Sequence, residues 1–178
     1  MFFKWIKAIV ILPLNALVFI PALIVWISGD RLSLTSGWKF HMGILLLAAG
    51  FALAVWTMTL FHRLGKGTAA PWDPPQQLVV AGPYCHVRNP MLTSVFLMLA
   101  AEALLAGSVV LLSWLAVFVC VNMLYFPLVE EKELLRRFGA DYARYKANVP
   151  RYLPRLKPWR YVPPRGGKPP RRKAAASR

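Results

Sequence analysis

Four long apolar blocks, separated by polar segments, dominate the chain: Ile6 to Ser28, Phe40 to Phe61, Met91 to Gly107 and Ser108 to Leu128. Each is close to the roughly 20 residues that an α-helix needs to cross a hydrocarbon core. The third is the shortest, so it should start below the interface or tilt little. The first follows Lys4 and Lys7, as a signal peptide would. It outruns the usual apolar region of about 7–15 residues, however, and lacks a clean Ala-x-Ala cleavage site. It reads as a retained helix, kinked or opened near Pro13 and Pro21. No charged residue separates the third block from the fourth, and Gly107-Ser108 between them predicts a tight antiparallel hairpin. Asn122 then falls at the depth of Thr93 and Ser94, in reach of an interhelical hydrogen bond worth about 0.6–2 kcal/mol. The expected fold is an all-α integral membrane protein of about four transmembrane helices, the last two a tight hairpin.

Composition agrees: 57% of the 178 residues are hydrophobic, against roughly 45–50% in soluble domains. A chain this short has no core large enough to hide that excess, so the lipid bilayer is the expected partner. Charge sets the orientation. Twenty of the 22 Lys and Arg residues fall on one side of the predicted spans, leaving Arg31 and Lys39 on the other. Both termini are therefore expected in the cytoplasm, in the cytoplasmic membrane of a bacterium or the endoplasmic reticulum of a eukaryote. The net charge of +15 invites a nucleic-acid reading. Its placement favours anionic headgroups instead, because the ten basic residues from Arg151 onward directly follow the spans. No nucleic acid is expected as a partner, and nothing in the pattern specifies an oligomeric state. The Pro- and Gly-rich end, residues 163–178, reads as a disordered basic tail behind a membrane-embedded domain of residues 1–162. Cys85 and Cys120 make neither a metal spacing nor a disulfide framework.

The polar residues capable of chemistry gather on the predicted cytoplasmic side. One segment holds Gly65-Lys66-Gly67, Ala70-Pro71-Trp72-Asp73-Pro74-Pro75 and Gly82-Pro83-Tyr84-Cys85-His86-Val87-Arg88-Asn89-Pro90. The other holds Glu130-Glu131-Lys132-Glu133, then Phe138-Gly139-Ala140-Asp141-Tyr142-Ala143-Arg144-Tyr145, then Val149-Pro150-Arg151. Because the hairpin returns the chain to the face it left at Pro90, Arg88 and Glu130 should meet in depth. A long loop in a small bundle is more often functional than idle. Plainer alternatives stand beside this. The glutamates could form a solvated helix face with Glu–Lys/Arg pairs, Arg88 could snorkel, and Tyr142 and Tyr145 could belong to an aromatic belt. Glu102 lies inside an apolar span, where a carboxylate is costly, and is either a neutral structural group or a polar feature of a substrate cavity.

In this order and spacing, Gly-Pro-Tyr-x-x-Val-Arg-Asn-Pro, an apolar hairpin, Glu-Glu, Phe-Gly-x-x-Tyr-x-x-Tyr and Val-Pro-Arg resemble the isoprenylcysteine carboxyl methyltransferase family and the related phospholipid methyltransferases. The resemblance runs from about Trp72 to Pro154. It implies a small helical membrane enzyme that binds S-adenosylmethionine at its cytoplasmic face, without the strand-borne glycine fingerprint of dinucleotide folds. It also implies a cofactor-binding signature at Arg88, Asn89, Pro90, Glu130 and Glu131, framed by Gly82, Pro83, Tyr84, Tyr142 and Tyr145, with Arg88 and Glu130 closest to the chemistry. Two positions depart from the pattern: Asn89 stands where His is usual, and Leu92 where Tyr is usual. Asn holds a hydrogen bond but carries no proton, so titration at that position is excluded.

The residue types suit methyl transfer. Glutamates can accept from the cofactor's ammonium or ribose, and an arginine can hold its carboxylate. In-line displacement then depends mainly on positioning. A carboxylate acceptor needs no base at neutral pH, whereas an amine must lose a proton, for which His86 and His62 are the loop-side candidates. Without a strong base in view, the sequence favours a lipidic acceptor presenting a carboxylate, of the isoprenylcysteine type, with a phospholipid amine as the alternative. A nicotinamide-dependent reductase of the sterol-reductase kind and a non-enzymatic membrane scaffold are the rival classes.

Overall fold

The computed structural model describes residues 10–30, 32–65 and 75–160, and every regular element among them is helical. The basic tail, Lys4 and Lys7, Arg31, Lys66-Gly67 and the Ala70-to-Pro74 stretch lie outside the described residues.

A wide π-helical stretch, Val10–Phe19, runs into α1 (Ile20–Ser28). Pro13 and Pro21 sit within and just after it, and each removes an N–H and crowds the preceding turn, which accounts for the opened geometry. Helix α2 (Trp38–Leu60) continues as a wide turn through Phe61–Gly65. Helices α3 (Pro90–Ala106) and α4 (Val109–Tyr125) form the predicted hairpin. Gly107 closes α3 in the left-handed region (φ 60°), and Ser108 caps α4 by accepting from the Leu111 N–H at 3.2 Å. A π-helical turn, Phe126–Glu130, joins α4 to α5 (Glu131–Phe138), and α6 (Ala140–Asn148) follows Gly139. Pro127 lies in that turn. It cannot donate to the turn before it, so the helix widens there and its charged continuation is re-aimed.

Two helical spans are long and apolar enough to cross a membrane, Trp38–Gly65 and Val109–Phe138; Leu14–Ser28 and Pro90–Ala106 are shorter apolar helices. Large apolar side chains without protein cover, such as Trp26 (79% exposed) and Val109 (74%), give these helices an apolar outer surface of the kind a bilayer covers.

Helices α2 and α3 pack along their length. The contact face of α2 carries Gly43, Gly50 and Thr57, all buried and seven residues apart. A Cβ on Gly50 would sit 2.9 Å from the Ser94 carbonyl, so only glycine lets the two backbones approach this closely. At the hairpin end, Thr35 Oγ1 donates to the Leu104 carbonyl (2.9 Å) and Ser108 donates to Asp30. The turn after α1 therefore meets the α3–α4 turn. Trp114 Nε1 donates to the Ala16 carbonyl at 3.2 Å, tying α4 to the first helical stretch.

Asn122 departs from expectation. It donates to the Phe118 carbonyl within its own helix (2.8 Å), while Thr93 and Ser94 bond to Asn89 and Met91 carbonyls one turn back. Each of these bonds stays within its own helix or its cap, and none of them crosses the hairpin.

Candidate functional site

The loop before α3 is shaped by a single residue. Gly82 opens the short helical turn Gly82–Cys85 with φ 55°, and a Cβ there would press within 3.1 Å of Trp56 and Leu60. The turn buries Pro83 and Tyr84, the Tyr84 ring lying 5.4 Å from that of Phe61. Burial, with Tyr145 and Glu130 nearby, pushes the Tyr84 phenol well up. Asn89 caps α3: its Oδ1 accepts from the Leu92 N–H at 3.1 Å, and Pro90 fills the first helical position. Asn89 is thus occupied in starting the helix, a task asparagine performs better than most residues.

Helix α6 lies under this loop. Tyr142, Tyr145 and Val149 form a buried cluster packed by Leu78, Val80, Leu134, Phe138 and Trp159. The two tyrosines are 1% and 3% exposed, which rules out an interfacial aromatic belt. Tyr145 donates to the Tyr84 carbonyl at 2.7 Å, so its hydroxyl holds the loop in place. A strap of chain after α6 crosses the same loop. The Arg88 N–H donates to the Pro150 carbonyl, Arg155 N–H to the His86 carbonyl, and Trp159 N–H to the Cys85 carbonyl, each at 3.0 Å.

At the centre is Glu131, whose side chain is 1% exposed. Its carboxylate accepts from Arg88 Nη1 at 2.8 Å, from Arg151 Nε at 2.6 Å and from Lys146 Nζ at 2.8 Å. Burial alone would raise this carboxyl; the hydrogen bonds and charges of Arg151, Lys146 and Arg88 outweigh it and hold the group below its ordinary value. The predicted meeting of Arg88 with the Glu130-Glu131 pair is thus present, with Glu131 as the direct partner. Arg88 itself is 8% exposed.

Glu130, one residue past the apolar run, is half-buried and has no ion pair among the described residues. Burial, and then the charge of Glu131, pushes its carboxyl up to about 7. Beside it, Arg88 Nε and Tyr142 Oη are buried without a hydrogen-bond partner. Burial and the nearby glutamates push the Tyr142 phenol up to about 12, against the opposing influence of Arg88. Buried donors are rarely left unmade, and these two adjoin: Arg88 acts on the Tyr142 phenol as a hydrogen-bond partner as well as a charge.

Nothing in the sequence gives Lys146 or Arg151 a role. Arg151 was visible inside Val-Pro-Arg, but only folding shows that both reach back to Glu131. Glu102 sits at the other end of α3, lining a cavity of about 690 Å³ with Pro21, Trp26 and Leu105. No three His, Cys, Asp or Glu side chains group as a metal site among the described residues.

A family model described as phospholipid methyltransferase matches residues 38–141, from the start of α2 into α6. It spans Gly82 to Pro90 and both Glu130 and Glu131, and ends before Tyr142 and the strap. No curated protein and no solved structure matches the chain.

Proposed function

Because the chain belongs to the phospholipid methyltransferase family, a family of membrane methyltransferases whose model covers more than half of it, we propose that it transfers a methyl group from S-adenosylmethionine to a nucleophile borne by a membrane lipid or lipidated chain. One observation carries this reading. A 2.8 Å ion pair joins Arg88 to Glu131 across 43 residues of sequence and gathers the signature loop and the paired glutamates into one buried site.

The residues suit the cofactor. Glu130, without an ion pair among the described residues, is the acceptor for an ammonium or ribose hydroxyl in this reading, and buried Arg88 and Tyr142 are the donors for a carboxylate. When bound, S-adenosylmethionine supplies a methyl carbon attached to a positively charged sulfur. The rest of the reaction asks the protein for orientation and exclusion of water. In this reading Glu131, Lys146 and Arg151 hold Arg88 in place, and Gly82, Pro83 and Tyr84 form the wall above it. Asn89 and Pro90 fix where α3 starts, and Tyr145 fixes the loop.

We place four spans in the membrane and the site at its cytoplasmic face, with residues 1–162 as the catalytic unit and residues 163–178 as a basic segment drawn to anionic lipid. Twenty of the 22 basic residues then face the cytoplasm. Ser33→Cys in intact cells should react only with reagent supplied from outside, and Ser177→Cys only after permeabilisation. Labelling of Ser33→Cys from the cytoplasm alone would overturn the topology. Calorimetry on detergent-purified protein should show binding of S-adenosylmethionine and S-adenosylhomocysteine and none of NADPH. Binding of NADPH alone would make the chain a reductase.

A further inference from the structure

A cavity of about 690 Å³ lies between the first helical stretch, the turn after α1 and the Gly107 end of the α3–α4 hairpin. Its size is that of a site for one drug-sized organic ligand. Glu102, in its wall, stands on α3 twelve residues beyond Pro90, about 18 Å along the axis at ~1.5 Å per residue. The cavity is therefore separate from the Arg88–Glu131 site. Leu17, Leu105 and Leu111 form much of its wall, and Trp26 and Leu34 line it while 79% and 82% exposed. It opens sideways, onto the apolar surface that a bilayer covers.

Glu102 is the one ionisable group in the lining. Its side chain is half-buried and has no hydrogen bond or ion pair among the described residues. The polar groups packed at this end are engaged elsewhere. Asp30 accepts from the Ser108 hydroxyl, and Thr35 donates to the Leu104 carbonyl at 2.9 Å. Lys39, at the start of α2, is exposed and does not line the cavity.

A carboxyl group within an apolar span is costly, and its presence there points to a ligand. Among apolar walls its charge is weakly screened, so an entering cation gains more than it would in water. Trp26 supplies the complementary group, because the face of an indole attracts an organic ammonium. An anion would meet like charge. An uncharged chain would leave the carboxylate without a partner.

We infer that this cavity is a second ligand site, which takes from the bilayer a single-chain amphiphile with an ammonium head. The head lies against Glu102 and Trp26, and the chain lies along the aliphatic wall. A drug-sized volume accommodates one chain rather than the two of a phospholipid. The inference does not rest on the methyltransferase reading: the ligand is held at the far end of α3 and is not the methyl acceptor.

Dodecyltrimethylammonium is the probe, because its nitrogen has no lone pair and cannot take a methyl group. Carrying a diazirine on its chain, it should crosslink the full-length protein in neutral detergent micelles at residues 17–26 and 102–111. Glu102→Gln keeps the shape of the side chain and removes a charge from an apolar span, so it should fold with wild-type helicity. It should label about 10- to 100-fold less at limiting probe. Ala22→Phe fills the cavity and should lose the labelling as well. Arg31→Gln should label like wild type; a tenfold rise would show that Arg31 already serves as the cation and would overturn the inference. Equal labelling of Glu102→Gln and wild type, crosslinks confined to other residues, or equal labelling by the uncharged dodecanol analogue would each overturn it too. Failure of wild type to bind S-adenosylhomocysteine would overturn only the methyltransferase reading.

Discussion

Glu131→Ala should cost the protein about 3–5 kcal/mol of stability, the usual effect of removing one partner from a buried ion pair. The cost comes chiefly from Arg88, which is 8% exposed and would be left charged and unpaired beneath the loop. Lys146 (46% exposed) and Arg151 (28%) can turn toward water and should contribute less. Glu131→Gln keeps an acceptor for Arg88 and should cost less than the alanine change. The pH dependence has a definite sign. The folded carboxyl lies below its ordinary value, so its contribution is fully present above the unfolded value near 4.5 and is lost as pH falls through the folded one. Wild type should therefore weaken on acidification below about 4.5, and Glu131→Ala should lack that component. Denaturant titration in detergent measures both. A loss under about 1 kcal/mol would reduce Glu131 to an ordinary surface pair.

Glu130→Gln should weaken S-adenosylmethionine binding about 10- to 100-fold, the loss of a charge-assisted acceptor worth about 1.5–3 kcal/mol, while stability changes little. Here the pH effect runs the other way. Burial, then Glu131, has raised this carboxyl to about 7, and only its ionised form attracts the cofactor's ammonium. Affinity should therefore climb between about pH 6 and 8 in wild type and stay flat over that range in Glu130→Gln. The apo protein should move oppositely: the stability associated with protonated Glu130 is present below the unfolded value near 4.5 and is lost as pH rises through about 7. Calorimetry across that range, with thermal denaturation beside it, tests both halves. Equal affinity of wild type and variant at pH 8 would return Glu130 to a solvated helix face.

These two adjacent glutamates show where reading the sequence stops. Glu130-Glu131 is visible as a pair, and the hairpin places it at the depth of Arg88. Nothing in the pair says which residue faces inward. The widened turn at Phe126–Glu130, with Pro127 near its start, decides that Glu131 enters the cationic cluster while Glu130 has no ion pair among the described residues. Asn89 is similar. Its replacement of the usual histidine was legible as the loss of a titrating group. That its side chain starts α3 is a local bond to the Leu92 N–H, whereas the hold on His86 Nδ1 depends on the strap lying across the loop.

The sequence by itself determined the quantities that add along the chain: the apolar lengths of the helices, the Gly107-Ser108 hairpin, the opened geometry near Pro13 and Pro21, the excess of basic residues over acidic ones, and the ordered motifs that lead to a methyltransferase family. Each depends on residues close together or on totals over a segment, and needs no knowledge of what packs where. The tertiary structure alone decided the rest. It brought Lys146 and Arg151 onto Glu131, buried Tyr142 and Tyr145 instead of leaving them at an interface, turned Asn122 back to its own helix, and fixed the His86 tautomer through a carbonyl 69 residues away. Those outcomes follow from competition for hydrogen bonds and burial among residues distant in the chain, and that competition is resolved only when the helices, loop and strap share one space.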